Sequence, residues 1–199
     1  NILEVIKGIG ARVEMSGDRK VKITAENLDV GKIDFEKMSK TRISVLLFGS
    51  LLQRIKHFKM AAPGGDRIGL RPISVHLRGL EKLGAKIKRE GDFYTVDCKR
   101  LKGAEIVLEE FSVTATETIM LAAVLAEGKT IIKGAACEPH IQALGRMLEK
   151  LGAKIKGAGT HTIEIDGVKY LKGVSHNIIF DSIEAGTFIV IGAVTPGKI

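Results

Sequence analysis

Tryptophan is absent from this chain of 199 residues, and aromatic residues make up only 5% of it. Rings cannot dominate the core, which must come from the Leu, Ile, Val and Ala within the 45% of residues that are hydrophobic. There are two cysteines, Cys98 and Cys137. They are too few and too far apart for a disulfide framework or a thiolate metal cluster, and they fit a reducing compartment, the cytoplasm. No apolar run approaches the ~20 residues of a membrane-spanning helix. The N-terminus carries no secretory pattern, so no membrane partner is expected. Long blocks of like charge are also missing, and the basic residues are not interleaved with aromatics. A single-strand nucleic-acid groove wants both, so nucleic acid is not the expected partner. The five histidines, His57, His76, His140, His161 and His176, show no metal-ligand spacing. Neither a metal nor a cofactor is expected.

What the chain does have is a net charge of +8, spread along its length. Such a charge suits small anionic substrates as well as plain solubility. It also has a repeat. Ile9-Gly10-Ala11-Arg12-Val13, Leu83-Gly84-Ala85-Lys86-Ile87 and Leu151-Gly152-Ala153-Lys154-Ile155 are one phrase written three times, about 70 residues apart. Before each glycine, apolar residues fall at helical spacing. After it they alternate with polar ones as in a half-buried strand. The glycine is placed to end a helix in the left-handed conformation. A turn and a second alternating strand follow each time, which predicts three hairpins. A more apolar helix recurs on the same period at 44–52, 116–125 and 184–194. Its scarcity of charge predicts burial on most sides, with the more charged helices forming an outer layer and neighbouring units sharing one core.

Only four prolines occur, and two of them bracket the stretch Pro63-Gly64-Gly65-Asp66-Arg67-Ile68-Gly69-Leu70-Arg71-Pro72. Three glycines make this a loop whose backbone can approach a ligand closely. Within it the carboxyl of Asp66 shares the loop with the guanidinium groups of Arg67 and Arg71. One carboxyl beside two permanent cations suits proton transfer on an anionic substrate. A surface turn with an ordinary ion pair would read the same way.

The wording of this loop resembles the enolpyruvyl transferase family, whose loop reads Pro-Gly-Gly-Cys-x-Ile-Gly-x-Arg-Pro, with Asp in place of Cys in a minority of members. The resemblance continues through Thr41-Arg42, Ser112-Val113-Thr114-Ala115-Thr116-Glu117, Ala135-Ala136-Cys137-Glu138-Pro139 and Asp181-Ser182-Ile183-Glu184-Ala185-Gly186-Thr187. It implies an α/β (α+β) fold: half of an inside-out α/β barrel, built from repeated units of about 70 residues with inner helices and outer mixed sheets. It implies a globular half over 1–180 that lacks the family's first segment. Residues 181–199 are then a crossover and helix that belongs to the other half. Alternatively, that helix fills a vacant slot, in its own chain or in a neighbour's by domain swapping into a homo-oligomer.

The resemblance also implies an activity. The enolpyruvyl group of phosphoenolpyruvate is transferred to the 3-hydroxyl of UDP-N-acetylglucosamine, the first committed step of peptidoglycan synthesis. This chain would be an inactive part of the whole enzyme. Asp66 would be the catalytic proton donor. Substrate would be bound by Arg42, by the strip Arg71, Pro72, Ile73, Ser74 and Val75, and by Ser112, Val113 and Thr114 just ahead of a helix. Asp in place of the reactive Cys implies resistance to the epoxide fosfomycin. The family often has Asp where Ser74 stands, usually Gly where Thr114 stands, and Arg where Cys137 and Ser182 stand. Two other readings stay open at this point. One is a 3-phosphoshikimate enolpyruvyl transferase, whose Gly-Asn-x-Gly-Thr loop is missing here. The other is a basic RNA-binding or RNA-end-processing protein of related repeat fold, which steep salt dependence of binding would reveal.

Overall fold

The computed structural model describes residues 2–65, 69 and 71–196. Three hairpins organise it. The first, β1 (Arg12–Met15) with β2 (Val21–Thr24), forms a sheet of its own and follows α1 (Ile2–Gly8). A short helix, α2 (Phe35–Ser39), and a 3-10 turn over Arg42–Val45 lead into α3 (Leu46–Leu51). The second hairpin joins β4 (Lys86–Glu90) to β5 (Phe93–Asp97), and β3 (His57–Ala61) pairs antiparallel with the free edge of β5. Helix α4 (Ser74–Lys82) bridges β3 and β4. The third unit runs through β6 (Glu105–Val107), α5 (Val113–Ala123), β7 (Lys129–Lys133) and α6 (Pro139–Leu151) to the hairpin β8 (Lys154–Lys156) and β9 (Thr162–Asp166). Its sheet is mixed: β7 lies parallel to β6 and antiparallel to β9.

Each repeated glycine does what its place demands. Gly10, Gly84 and Gly152 have φ of 95°, 102° and 107°. An L side chain there would cost about 1–2 kcal/mol. The chain thus leaves α1, α4 and α6 and turns directly into the following strand.

Helix α5 is the inner element. Glu117 is its one charged residue, and seven of its 11 residues are buried. It packs against α3, α4 and α6. Ile119 and Met120 are fully enclosed, in one core with Phe48 of α3, Leu80 of α4 and Ile141 of α6. The expected inner helix at 44–52 divides into the tight 3-10 turn and α3. The Ser44 hydroxyl donates to the Met38 and Thr41 carbonyls at 3.1 and 2.7 Å, which holds the first turn against α2. The inner helix expected from 116 starts earlier, at Val113. Val113 and Thr114 are therefore its first turn, not residues ahead of it.

The last helix forms where expected, as α7 (Ser182–Val194), capped by the Asp181 carboxylate, which accepts from the N–H groups of Ile183 and Glu184. It does not return to the core of its own chain. None of its residues is buried, and Ile183, Ile189 and Val194 are 75%, 72% and 74% exposed. Helix α5 packs against α3, α4 and α6, and α7 does not lie among them. None of the helices among the described residues is long and apolar enough to cross a membrane.

Two glycines separate packing from propensity. A methyl group at Gly49 in α3 would run into the backbone carbonyl of Thr118 in α5, whereas one at Gly186 in α7 would meet nothing. Gly49→Ala should lower stability by about 1–3 kcal/mol through overpacking. Gly186→Ala should be neutral or stabilise by up to about 1 kcal/mol through helix propensity. Urea unfolding of the two variants checks this. Equal effects would mean that the α3–α5 contact is loose.

Candidate active site

The loop that carries Asp66 closes on one side chain. Gly65, the residue before Asp66, has φ of 100°, and a side chain there would press on Arg42 at 3.0 Å. On the far stem, Arg42 donates from its two terminal guanidinium nitrogens to the carbonyls of Arg71 at 2.7 Å and Pro72 at 3.2 Å. Arg42 therefore holds the far stem of the loop by hydrogen bonds, and the absence of a side chain at Gly65 lets the near stem pass close against it. Burial and the positive charge of Arg71 keep its pKa below the usual arginine value. Two cations are thus held close together, and no carboxylate among the described residues forms an ion pair with either. Glu36 and Asp34, the nearest acids in sequence, pair with Lys40 and Lys37.

The loop ends at the start of α4, which meets the start of α5. His76, the third residue of α4, lies with Nε2 2.8 Å from Oγ1 of Thr114, the second residue of α5. Helix starts leave N–H groups without intrahelical acceptors. Here Ser74, Val75 and His76 on one helix, and Val113 and Thr114 on the other, have N–H groups with no acceptor among the described residues. The positive ends of two helix dipoles and two guanidinium groups converge on one region. This is an arrangement for binding anions.

The sequence of this chain matches the model of a known family, EPSP synthase (3-phosphoshikimate 1-carboxyvinyltransferase), over residues 1–199. The chain belongs to the EPSP synthase family of enolpyruvyl transferases. It is 48% identical over 198 residues to UDP-N-acetylglucosamine 1-carboxyvinyltransferase 2 of Carboxydothermus hydrogenoformans, covering 100% of this chain and 47% of that protein. It is 45% identical over 199 residues to UDP-N-acetylglucosamine 1-carboxyvinyltransferase 1 of Caldanaerobacter subterraneus, with 100% and 47% covered. Against UDP-N-acetylglucosamine 1-carboxyvinyltransferase 2 of Clostridium tetani the identity is 47% over 199 residues, with 100% and 48% covered. The chain spans about half the length of these relatives. Its fold is similar to that of the enolpyruvyl transferase NikO from Streptomyces tendae, with a TM-score of 0.80 at 22% identity over 95% of this chain and 45% of that one. An EPSP synthase from Acinetobacter baumannii gives 0.63 at 23% identity over 86% and 39%.

Within the enolpyruvyl transferase fold, the residues singled out from the sequence divide. Asp66 lies outside the described residues. Arg42, Arg71, Pro72 and Ser74 gather around the loop stem and the start of α4. Ile73 and Val75 turn their side chains into the core, each 6% exposed, so only their backbone is available to a ligand. The Ser112 hydroxyl accepts from the Ala115 N–H at 3.4 Å and so caps α5. Val113 and Thr114 are half-buried at the rim of that helix.

Reading the sequence missed the role of His76. It is 1% exposed and joins the two helix starts, yet an isolated histidine on a helix gives no sign of which neighbour it reaches. Glu117, one turn along α5, was also missed as a titrating group. Burial pushes its carboxyl above the usual range, Glu138 adds to this, and His140 opposes it.

Burial, helped by the nearby Arg42 charge, lowers the His76 pKa from 6.5 to about 4. The folded state thus resists protonating this ring while the unfolded chain accepts the proton. Between pH 6.5 and about 4 the unfolded state binds more protons, so stability falls as pH falls through that window. His76→Gln removes the titration. The stability gap between wild type and H76Q should shrink by about 2 kcal/mol from the top of the window to the bottom. Urea unfolding at both ends of the window tests it, and parallel pH profiles would contradict it.

Proposed function

We propose that this chain is the part of a UDP-N-acetylglucosamine enolpyruvyl transferase that carries the reactive loop and one wall of the substrate cleft. The single observation that carries this reading is the meeting of two helix starts and two arginines beside the loop of Asp66. It is supported by the names of the relatives. The substrates suited to it are both anions: phosphoenolpyruvate, with a phosphate and a carboxylate, and a sugar nucleotide with a diphosphate. Backbone N–H groups of Val113 and Thr114 hold the diphosphate, as helix starts hold phosphates elsewhere. The backbone from Arg71 to Val75 follows the nucleotide, and Arg42 and Arg71 neutralise the remaining charge.

The reaction on this reading has two stages. The sugar 3-hydroxyl gives up its proton to a base and adds through oxygen to C2 of phosphoenolpyruvate while C3 takes a proton. C3 then loses a proton and C2 loses phosphate, so that the double bond reforms. Asp66 delivers the proton to C3. A carboxyl with a reference pKa of about 3.9 is rarely protonated at neutral pH. A bound phosphate beside it, being anionic, favours the protonated form. Asp66 therefore becomes an acid only when substrate is in place. This couples chemistry to binding without any further switch.

The complete enzyme containing this chain should release phosphate from phosphoenolpyruvate only when UDP-N-acetylglucosamine is also present. Asp66→Asn should cut that rate about a hundredfold or more, as loss of a general acid commonly does. Fosfomycin should not inactivate the wild type, because a carboxylate attacks a soft epoxide carbon far less well than a thiolate. D66C should become sensitive, with a mass adduct on the loop. Full activity of D66N, or time-dependent inactivation of the wild type by fosfomycin, would overturn the assignment of Asp66.

A further inference from the structure

The three hairpins carry apolar residues at matching places, but only two of them are covered. Three positions after the repeated glycine stand Val13, Ile87 and Ile155, and across the ladder from them stand Ile23, Val96 and Ile165. On that second strand, two residues nearer the turn, are Val21, Tyr94 and Ile163. In the second hairpin Tyr94 and Val96 are buried, with the Tyr94 ring edge-on to Phe48 of α3. In the third, Ile163 and Ile165 are buried beside α5. In the first, Val21 and Ile23 are 42% and 49% exposed, and Met15, opposite Val21, is 59% exposed. Strand alternation puts Val13, Met15, Val21 and Ile23 on one face, while Arg12, Glu14 and Lys22 pair with one another on the other. Exposure of this size means that no helix covers the apolar face as α3 and α5 cover theirs.

Helix α7 presents the converse defect. It follows α3 and α5 on the same period, and like α5 it carries one charged residue, Glu184. It has the composition of an inner helix but no hairpin to cover. Ile183, Phe188, Ile189, Val190, Ile191 and Val194 are all at least 41% exposed. Residues 170–181, which lead to it, form neither helix nor strand and can span up to about 40 Å, enough to carry α7 to a neighbouring molecule. We infer that two copies of this chain exchange their last helices. The α7 of each lies on the apolar face of the other's β1–β2 hairpin, in the place that α3 and α5 take on the second and third hairpins. A reciprocal exchange closes with twofold symmetry. Three side chains of the hairpin and six of α7 offer roughly 100 Å² each at these exposures. Two such contacts exceed the ~1,000 Å² that a specific interface requires. The pairing stands independently of the sugar-nucleotide reading.

Sedimentation equilibrium of the full 199-residue chain tests the association, and twice the chain mass is expected at micromolar concentration. A monomer overturns the inference, and one whose α7 amides resist hydrogen exchange would place the helix on its own chain instead. Ile23→Glu and Ile189→Glu change side chains that are exposed within one chain, so both variants should fold. Each should weaken dimerisation about tenfold or more by leaving an unpaired carboxylate in the contact. Weakening by I189E but not by I23E would overturn the hairpin as the seat. The pairing itself is read by mixing Ile23→Cys chains with Ile189→Cys chains and adding a short bifunctional thiol reagent. Peptide mass spectrometry separates the products from any involving Cys98 and Cys137. A link between position 23 of one chain and position 189 of the other is expected. Links only between two copies of position 189 would overturn the exchange in favour of paired α7 helices.

Discussion

Helix α5 contains one charged residue in 11, Glu117, and cannot present a face to water without leaving large apolar side chains exposed. Burying a Leu-, Ile- or Met-sized side chain is worth about 1.5–3 kcal/mol. Enclosing this helix therefore sets the positions of α3, α4 and α6 around it, with the sheets outside. Close approach is secured by small residues. Gly49 lets α3 reach the Thr118 carbonyl, and Gly79 lets α4 reach Ile119. The functional region follows from this packing. Because α4 lies against α5, their two starts come side by side, and the N–H groups that have no acceptor among the described residues lie at the same end of both helices.

Arg42 adds the second constraint. It spends hydrogen bonds on the Arg71 and Pro72 carbonyls while still carrying a charge beside Arg71. A guanidinium can do both because it has five donors in a fixed fork; a lysine could not span the same two carbonyls and keep the geometry. The loop is anchored at its far stem, and a cationic field is held ready for an anion. His76 and Thr114 join this same wall through one hydrogen bond. The site is thus assembled from groups whose main contacts are with one another, and its preorganisation is a property of the packed core.

Much of this was legible in the residues. The three glycine phrases fixed the ends of α1, α4 and α6 because only a left-handed turn suits them, and the alternation after each gave the hairpins. The low charge of 116–125 gave the inner helix, though not its start. Ser112 as a cap draws Val113 and Thr114 into the helix, which periodicity alone does not reveal. The His76–Thr114 contact was not legible, since it joins residues 38 positions apart through the crossing of two helices. Nor was the inward turn of Ile73 and Val75, which depends on where α4 meets the core. The apolar pattern of 184–194 correctly gave a helix but could not say what covers it, and within this chain α7 stays outside the core.

The central claim is that the starts of α4 and α5 together hold the anionic groups of a sugar nucleotide. Backbone amide spectra of the chain titrated with UDP-N-acetylglucosamine test it most directly. The account predicts saturable shifts concentrated at Ser74, Val75, His76, Val113 and Thr114, with the strands of the outer sheets unmoved. Saturable shifts centred on the outer strands, or none at either helix start, would contradict it.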